Sequence, residues 1–142
     1  MSGRNATVLI VEDDDIDVES VTRGMKKRYL AFDVHATADG SRALEFLRSE
    51  LTPDQRSRLI VLLDLNMPRM NGHEFLAEIR SDPILHQTIV FVLTTSSLES
   101  DRSRAYERNI AGYFVKSNVD GLLDMLGNYA DHVEFPELST AV

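Results

Sequence analysis

Residues 59–72 of the chain read LIVLLDLNMPRMNG, an all-apolar run of five residues that stops at Asp64. Such a run, bounded by turn residues, is typical of a strand that is covered on both faces of a parallel sheet. It is the most apolar strand-like segment of the chain, so we expect Leu59–Leu63 at the centre of the sheet. Asp64 and the residues after it then belong to a loop at the carboxyl end of that strand.

Strand-like and helix-like segments alternate on both sides of this run. Short apolar runs predict strands over Thr7–Val11, Phe32–Ala36, Leu59–Leu63, Thr88–Leu93 and Gly112–Val115. Apolar residues at helical spacing predict helices over Asp15–Tyr29, Asp39–Ser49, Gly72–Arg80, Glu99–Arg108 and from Val119 onward. Tyr29 is expected on the inner face of the first helix, and residues 50–58 are expected to form a polar connection. The alternation predicts an α/β fold with a doubly wound, five-stranded parallel sheet and five helices.

Length and composition exclude several classes of protein. The chain has 142 residues, enough for one ordinary domain, and its 15 basic and 23 acidic residues give a net charge of −8. That charge argues against nucleic-acid binding, which needs clustered cations. The absence of cysteine excludes disulfides and thiolate chemistry. The apolar runs are far shorter than the ~20 residues of a membrane span, and no signal peptide is visible, so we expect a cytoplasmic protein that does not bind membranes.

Polar side chains follow four of the five predicted strands. They are Glu12 and Asp13, Asp64 and Asn66, Thr94 and Thr95, and Lys116. Alone, each is most simply a cap, a turn residue or a solvated charge. In a doubly wound sheet, however, the loops at the carboxyl ends of the strands hold the site, so we expect these side chains to converge there.

The convergence of carboxylates predicts a metal site. Placing Asp13 and Asp64 within a few ångströms costs ~4 kcal/mol of Coulomb repulsion at an effective dielectric of 20, and a divalent cation would remove that cost. Two carboxylates, a backbone carbonyl and waters form part of the oxygen shell that Mg²⁺ prefers. Lys116 and Thr94 would then serve an anionic ligand such as a phosphoryl group.

Four separated motifs together resemble the receiver domain of two-component response regulators. They are VLIVEDDD at 8–15, LIVLLDLNMPRMNG at 59–72, VFVLTTS at 90–96 and GYFVKS at 112–117. The resemblance implies the flavodoxin-like receiver fold of the chemotaxis regulator, with strand order 2-1-3-4-5. It covers about Thr7 to Ala130, which implies an N-terminal extension over 1–6, a receiver domain over 7–130 and a C-terminal arm over 131–142.

The resemblance also implies a role for each matching residue. Asp64 is implied as the phosphoacceptor, with Thr94 and Lys116 beside the phosphoryl group. Mg²⁺ is implied to bind Asp13, Asp64 and the backbone carbonyl of Asn66, with support from Glu12. Thr94 and Tyr113 are implied as the switch. The function implied is that of a single-domain response regulator, phosphorylated by a sensor histidine kinase, which changes conformation and is not a turnover enzyme.

Three departures from the common pattern point to a subgroup. Lys116 precedes Ser117 where most receivers have proline, and a trans peptide is favoured there because a non-proline cis bond costs roughly 3 kcal/mol. The Lys-Ser pair, the long connection and the extended tail resemble the regulators that partner phytochrome-type histidine kinases. Members of that subgroup often dimerise through the last helix and the C-terminal arm. The apolar Val133, Phe135 and Leu138 on the tail therefore predict a homodimer.

Other functions are compatible with parts of the pattern. An aspartyl-nucleophile phosphatase-like hydrolase usually has an acid two residues after the nucleophile, where this chain has Asn66. A flavodoxin-like cofactor binder is disfavoured because the acids at 12–15 would repel a phosphate. A receiver-like interaction module that is not phosphorylated is the third alternative. The four histidines (His35, His73, His86 and His132), Arg69 and Arg80 are expected to be solvated or incidental surface groups.

Overall fold

The computed structural model describes residues 6–132, in which five strands form one parallel sheet. The strands are β1 Thr7–Val11, β2 Asp33–Thr37, β3 Leu59–Leu63, β4 Ile89–Thr94 and β5 Gly112–Val115. Their order in the sheet is β2-β1-β3-β4-β5, so the expected order is confirmed. β3 is the middle strand and all of its residues are buried, as its apolar composition predicts.

Helices cover both faces of the sheet. They are α1 Asp15–Lys27, α2 Gly40–Ser49, α3 Pro53–Ser57, α4 Gly72–Ser81, α5 Glu99–Glu107 and α6 Val119–His132, with a 3₁₀ turn over Lys116–Asn118. Buried side chains of α2, α4 and α5 share one core with alternate residues of the central strands. Those of α1 and α6 share a second core with the remaining strand residues. This three-layer arrangement leaves the carboxyl ends of the strands free to form a site.

The prediction of five helices was wrong by one short helix, because residues 50–58 contain α3. Its start is fixed by a reciprocal cap, in which Thr52 Oγ1 accepts the Gln55 N–H at 3.1 Å and Gln55 Oε1 accepts the Thr52 N–H at 2.9 Å. Pro53 occupies the first helical turn, where its missing N–H costs nothing. The Thr-Pro-x-Gln pattern carries this signal and was readable in the sequence.

The prediction that Tyr29 faces inward was also wrong, since the residue is 93% exposed. α1 ends earlier because Tyr29 takes a left-handed conformation with φ of 56°. The Tyr29 N–H donates to Lys26 O at 3.1 Å and the Leu30 N–H donates to Met25 O at 3.0 Å. These are the two bonds of a Schellman motif, and they turn Leu30 instead of Tyr29 toward the core.

Arg80 is a structural tie and not a simple surface charge. Its guanidinium donates to the carbonyl oxygens of Arg108 at 2.6 Å, His86 at 2.7 Å, Thr88 at 2.9 Å and Asn109 at 3.1 Å. Burial lowers the pKa of Arg80 from its ordinary value. The planar fork of donors therefore joins the end of α4 to the segments that lead into β4 and β5.

Two further expectations concern the backbone and the chain termini. Every peptide bond among residues 6–132 is trans, including the bond that follows Lys116, as expected. Within the same residues, no helix is both long enough and apolar enough to cross a bilayer. The predicted arm residues Val133, Phe135 and Leu138 lie outside the described part of the chain, as do residues 1–5 of the predicted N-terminal extension.

Candidate functional site

Two buried acids lie side by side at the carboxyl edge of the sheet. Val11 and Leu63 are register partners in β1 and β3, so Glu12 and Asp64 leave the sheet at the same level. The Asp64 N–H still donates to Val11 O, at 3.0 Å, and this bond holds the acid against the neighbouring strand. Glu12 is 6% exposed and Asp64 is 4% exposed, so both carboxylates are largely removed from water.

Asp13 completes a group of three carboxylates. Glu12, Asp13 and Asp64 each offer an oxygen, and these oxygens lie within 4.8 Å of one another. Asp13 is exposed and faces the solvent side of the group. Burial, and then the charge of Asp64, raise the pKa of Glu12 to about 7, against the opposing hydrogen bond from Lys116. A cluster of hard oxygen donors that is this crowded fits a divalent cation, as the sequence predicted.

Lys116 lies against the same acids. Its Nζ is 2.7 Å from Glu12 Oε1 and 3.5 Å from Asp64 Oδ2. A third contact, of 2.7 Å to Asp17 Oδ2, was not foreseen from the sequence, in which the only signal is that Asp17 lies in the first turn of α1. Burial lowers the pKa of Lys116, but the hydrogen bonds to Asp17 and Glu12 and the charge of Asp64 outweigh burial and raise the pKa. The side chain is therefore a fixed cation beside Asp64.

The loop after β3 is shaped around Asp64. The Asn66 N–H donates to Asp64 Oδ1 at 3.3 Å, which places Asn66 beside the carboxylate. The Gly72 N–H donates to Leu65 O at 3.0 Å and brings the start of α4 back onto the strand end. Asn71 caps α4 by accepting the Glu74 N–H at 2.9 Å. The loop thus folds back, so that its last residue, Gly72, packs against the backbone of Asp64.

Thr94 and Tyr113 are connected through Ser96. Thr94 is fully buried at the end of β4, and its Oγ1 accepts the Ser96 N–H at 3.4 Å. The Tyr113 hydroxyl donates to Ser96 O at 2.9 Å, while the half-buried ring packs against the core under α2, α4 and α5. The two residues that the resemblance implies as a switch therefore both form hydrogen bonds with the backbone of Ser96. Ser96 itself was not singled out from the sequence.

Ser96 also connects this segment to α5. Its Oγ donates to Asp101 Oδ2 at 2.6 Å, and His73 Nε2 lies 3.0 Å from Asp101 Oδ1. The His73 side chain is only 10% exposed, so the expectation of a solvated histidine was wrong. Ala105 is the one buried residue of α5, whose sequence is otherwise mostly polar. The contacts of Asp101, in the first turn of α5, with Ser96 and His73 therefore help to hold this helix against the rest of the domain.

The chain matches a known protein family over most of its length. The family model of the response regulator receiver domain matches residues 8–126. The chain is 36% identical over 121 residues to response regulator Rcp1 of Synechocystis sp., covering 84% of this chain and 82% of that protein.

Two crystal structures resemble this one over most of their length. The phosphorylated cyanobacterial phytochrome response regulator RcpA superposes with a TM-score of 0.80 at 29% identity, covering 94% of this chain and 99% of that one. The Mn²⁺-bound form of response regulator Rcp1 superposes with a TM-score of 0.77 at 30% identity, covering 92% and 99%. The chain therefore belongs to the response regulator receiver domain family and is close to Rcp1 and to the phytochrome response regulator RcpA.

Proposed function

We propose that the protein accepts a phosphoryl group on the carboxylate of Asp64 from a phosphohistidine of a sensor histidine kinase, and that it acts as a switch and not as a turnover enzyme. The observation that carries this proposal is the surroundings of Asp64. The carboxylate is buried and lies 3.5 Å from the Lys116 ammonium. Together with Glu12 and Asp13 it forms a group of three carboxylates whose oxygens are close enough to bind one metal ion.

In the proposed transfer, an Asp64 oxygen attacks phosphorus, the bond from phosphorus to the imidazole nitrogen breaks, and its electron pair remains on the imidazole. The product is an acyl phosphate on Asp64. Lys116 stabilises charge on the phosphoryl oxygens as the transfer proceeds. Mg²⁺, held by Asp13, Asp64, the backbone carbonyl of Asn66 and, in support, Glu12, would supply further charge neutralisation. The Mn²⁺-bound form of Rcp1 supports a divalent cation in a similar chain.

The proposed switch passes through Ser96. A phosphoryl group on Asp64 would draw the Thr94 hydroxyl toward it and away from the Ser96 N–H. Because Ser96 also accepts from Tyr113 and donates to Asp101, a shift of this segment changes the position of the ring and of α5 together. Few apolar contacts oppose such a shift, since α5 buries little besides Ala105.

The two alternatives are supported less well. A phosphatase-like hydrolase needs a proton donor near the nucleophile, and the side chain two residues after Asp64 is the exposed amide of Asn66. An interaction module that is not phosphorylated does not account for the group of three carboxylates around Asp64, whose mutual repulsion a divalent cation would relieve. Turnover of a phosphomonoester would favour the hydrolase.

Binding of beryllofluoride, a mimic of the phosphoryl group, tests the proposal. In a ¹⁹F NMR titration with saturating Mg²⁺, the wild-type protein is expected to show a bound signal that Asp64→Asn abolishes. Asp15→Asn removes an exposed carboxylate of α1 that is not part of the three-acid cluster, and it should retain the signal. A wild-type protein without a bound signal, or a signal that persists in Asp64→Asn, contradicts the proposal.

We further propose that residues 7–130 are the receiver domain, that 1–6 extend it and that 131–142 form an arm. The kinase would be of the phytochrome type, and the chain would dimerise through α6 and the arm. Met125 on α6 is 43% exposed and supplies apolar surface on that helix. The sequence that follows the helix contains the apolar Val133, Phe135 and Leu138. In light scattering, the full-length chain should have the mass of a dimer, and a chain truncated after His132 should have the mass of a monomer. An unchanged oligomeric state after truncation excludes a role for the arm in dimerisation.

A further inference from the structure

Lys116 makes an ion pair with a residue outside the three-acid cluster. Its Nζ lies 2.7 Å from Asp17 Oδ2, and the two residues are 99 positions apart in the chain. The Asp17 side chain is 31% exposed and that of Lys116 is 16% exposed, so the contact is largely shielded from water. It connects the first turn of α1 to the 3₁₀ turn that follows β5.

The contacts of the ammonium are unequal. Glu12 and Asp17 are both at 2.7 Å, whereas Asp64 is at 3.5 Å, the outer limit of a hydrogen bond. An ammonium has three N–H donors, and here the two short contacts lie with acids other than the phosphoacceptor. The Lys116 ammonium thus lies closer to Asp17 and Glu12 than to Asp64.

We infer that Asp17 is a positioning residue that restrains Lys116 and competes with a phosphoryl group on Asp64 for its ammonium. This inference rests on the proposed function and specifies how the same site is regulated. When Asp64 is unmodified, Lys116 is shared between Glu12 and Asp17. When a phosphoryl group arrives, its oxygens must draw Lys116 away from Asp17. The free energy needed to break the ion pair between Lys116 and Asp17 weakens the binding of the phosphoryl group or of its mimic.

Asp17 is not needed to build the helix that carries it. α1 is capped by Asp14, whose Oδ1 accepts the Ile16 N–H at 2.9 Å. The inner face of α1 is held by the buried Val21 and Met25. Asn at position 17 keeps the size and shape of the side chain and removes its charge. We therefore expect variants at this position to fold.

The experiment measures beryllofluoride affinity at saturating Mg²⁺ by ¹⁹F NMR. Because a partly exposed hydrogen bond to a charged group contributes modestly, Asp17→Asn is expected to tighten binding about fivefold. Asp15→Asn removes an equal charge from the same turn of α1. It should change affinity less than about twofold, because Asp15 is exposed and water and salt screen its charge. Asp17→Glu, which retains the carboxylate, should stay close to wild type.

A spectroscopic signature separates positioning from a general effect of charge. A bound fluorine that contacts Lys116 should change its chemical shift in Asp17→Asn and keep it in Asp15→Asn. Unchanged or weaker binding by Asp17→Asn, equal tightening by Asp15→Asn, or equal tightening by Asp17→Glu overturns the inference. Asp17→Ser provides a second neutral variant if Asp17→Asn is unstable. Absence of any bound signal in the wild-type protein would instead contradict the proposed function, so the two failures are distinguishable.

Discussion

Gly72 lies so close to Asp64 that a β-carbon at position 72 would sit 2.5 Å from the Asp64 carbonyl oxygen. The same atom would lie 2.6 Å from the Leu65 α-carbon. Both neighbours are backbone atoms, which cannot turn aside as a flexible side chain can. The first turn of α4 is thus seated directly on the peptide that carries the proposed phosphoacceptor.

Gly72→Ala is therefore expected to destabilise the fold by about 2 kcal/mol and to weaken beryllofluoride binding, because the backbone at Asp64 must shift. Gly127→Ala is the matched control, since its β-carbon would meet only Leu30 Cδ2, at an ordinary 3.5 Å. In the interior of α6 that change should be neutral or stabilising by up to about 1 kcal/mol. Urea unfolding gives both free energies, and equal effects of the two substitutions would contradict the packing argument.

Tyr29→Gly is expected to stabilise the protein by about 1 kcal/mol, because a side chain in the left-handed region is disfavoured and glycine is not. Little packing is lost, since Tyr29 is 93% exposed. Tyr29→Ala removes the ring but keeps a β-carbon, so it should show no such gain. Thermal and urea unfolding of the two variants make the comparison, and a gain for alanine equal to that for glycine would refute the role of backbone conformation.

The central position of β3 and the meeting of Glu12, Asp13, Asp64 and Lys116 were predictable from apolar runs and from the residues that end them, which are local signals combined with a general rule about parallel sheets. The strand order was predicted from the resemblance to receiver domains and not from these local signals. The end of α1 was not predictable in the same way. The helical spacing continues through Tyr29. Glycine usually marks the left-handed residue of a Schellman motif, but here that residue is Tyr29, so the sequence carries no signal for the end of the helix.

Contacts between distant segments were also missed. Arg80 is joined to four carbonyl oxygens in two other segments, and Asp17 is paired with Lys116 across the fold. His73 meets Asp101 in the same way. Such pairs have no characteristic spacing, because each depends on where two elements come to lie in the folded chain.

Asp82 makes the stability of the fold depend on pH in the acidic range. Its carboxylate accepts the Ile84 N–H at 2.8 Å and the Leu85 N–H at 3.0 Å, and it pairs with Arg48 Nε at 3.1 Å. Burial alone would raise its pKa, but these donors outweigh burial and lower the pKa below the ordinary value of 3.8. The folded state therefore favours the charged form. The resulting stability is present above the unfolded pKa and is lost as the pH falls through the folded pKa.

Asp82→Asn should accordingly cost about 1 kcal/mol at neutral pH, and the difference from wild type should narrow as the pH falls below 3.8. Urea unfolding across this range measures both curves. Glu107→Gln, at an exposed position, controls for the loss of one negative charge. A cost that stays constant through the acidic range would show that the charge of Asp82 is not the source of the stability.

Phosphorylation of Asp64 is the central claim, and its most direct test is the intact mass of the protein after incubation with a small-molecule phosphodonor and Mg²⁺. The account predicts that the wild-type chain gains one phosphoryl group, that hydroxylamine removes it as expected of an acyl phosphate, and that chelation of the metal prevents its addition. Asp64→Asn should gain none, while Asp15→Asn should be labelled like the wild type. No labelling of the wild-type chain, or equal labelling of Asp64→Asn, would contradict the account.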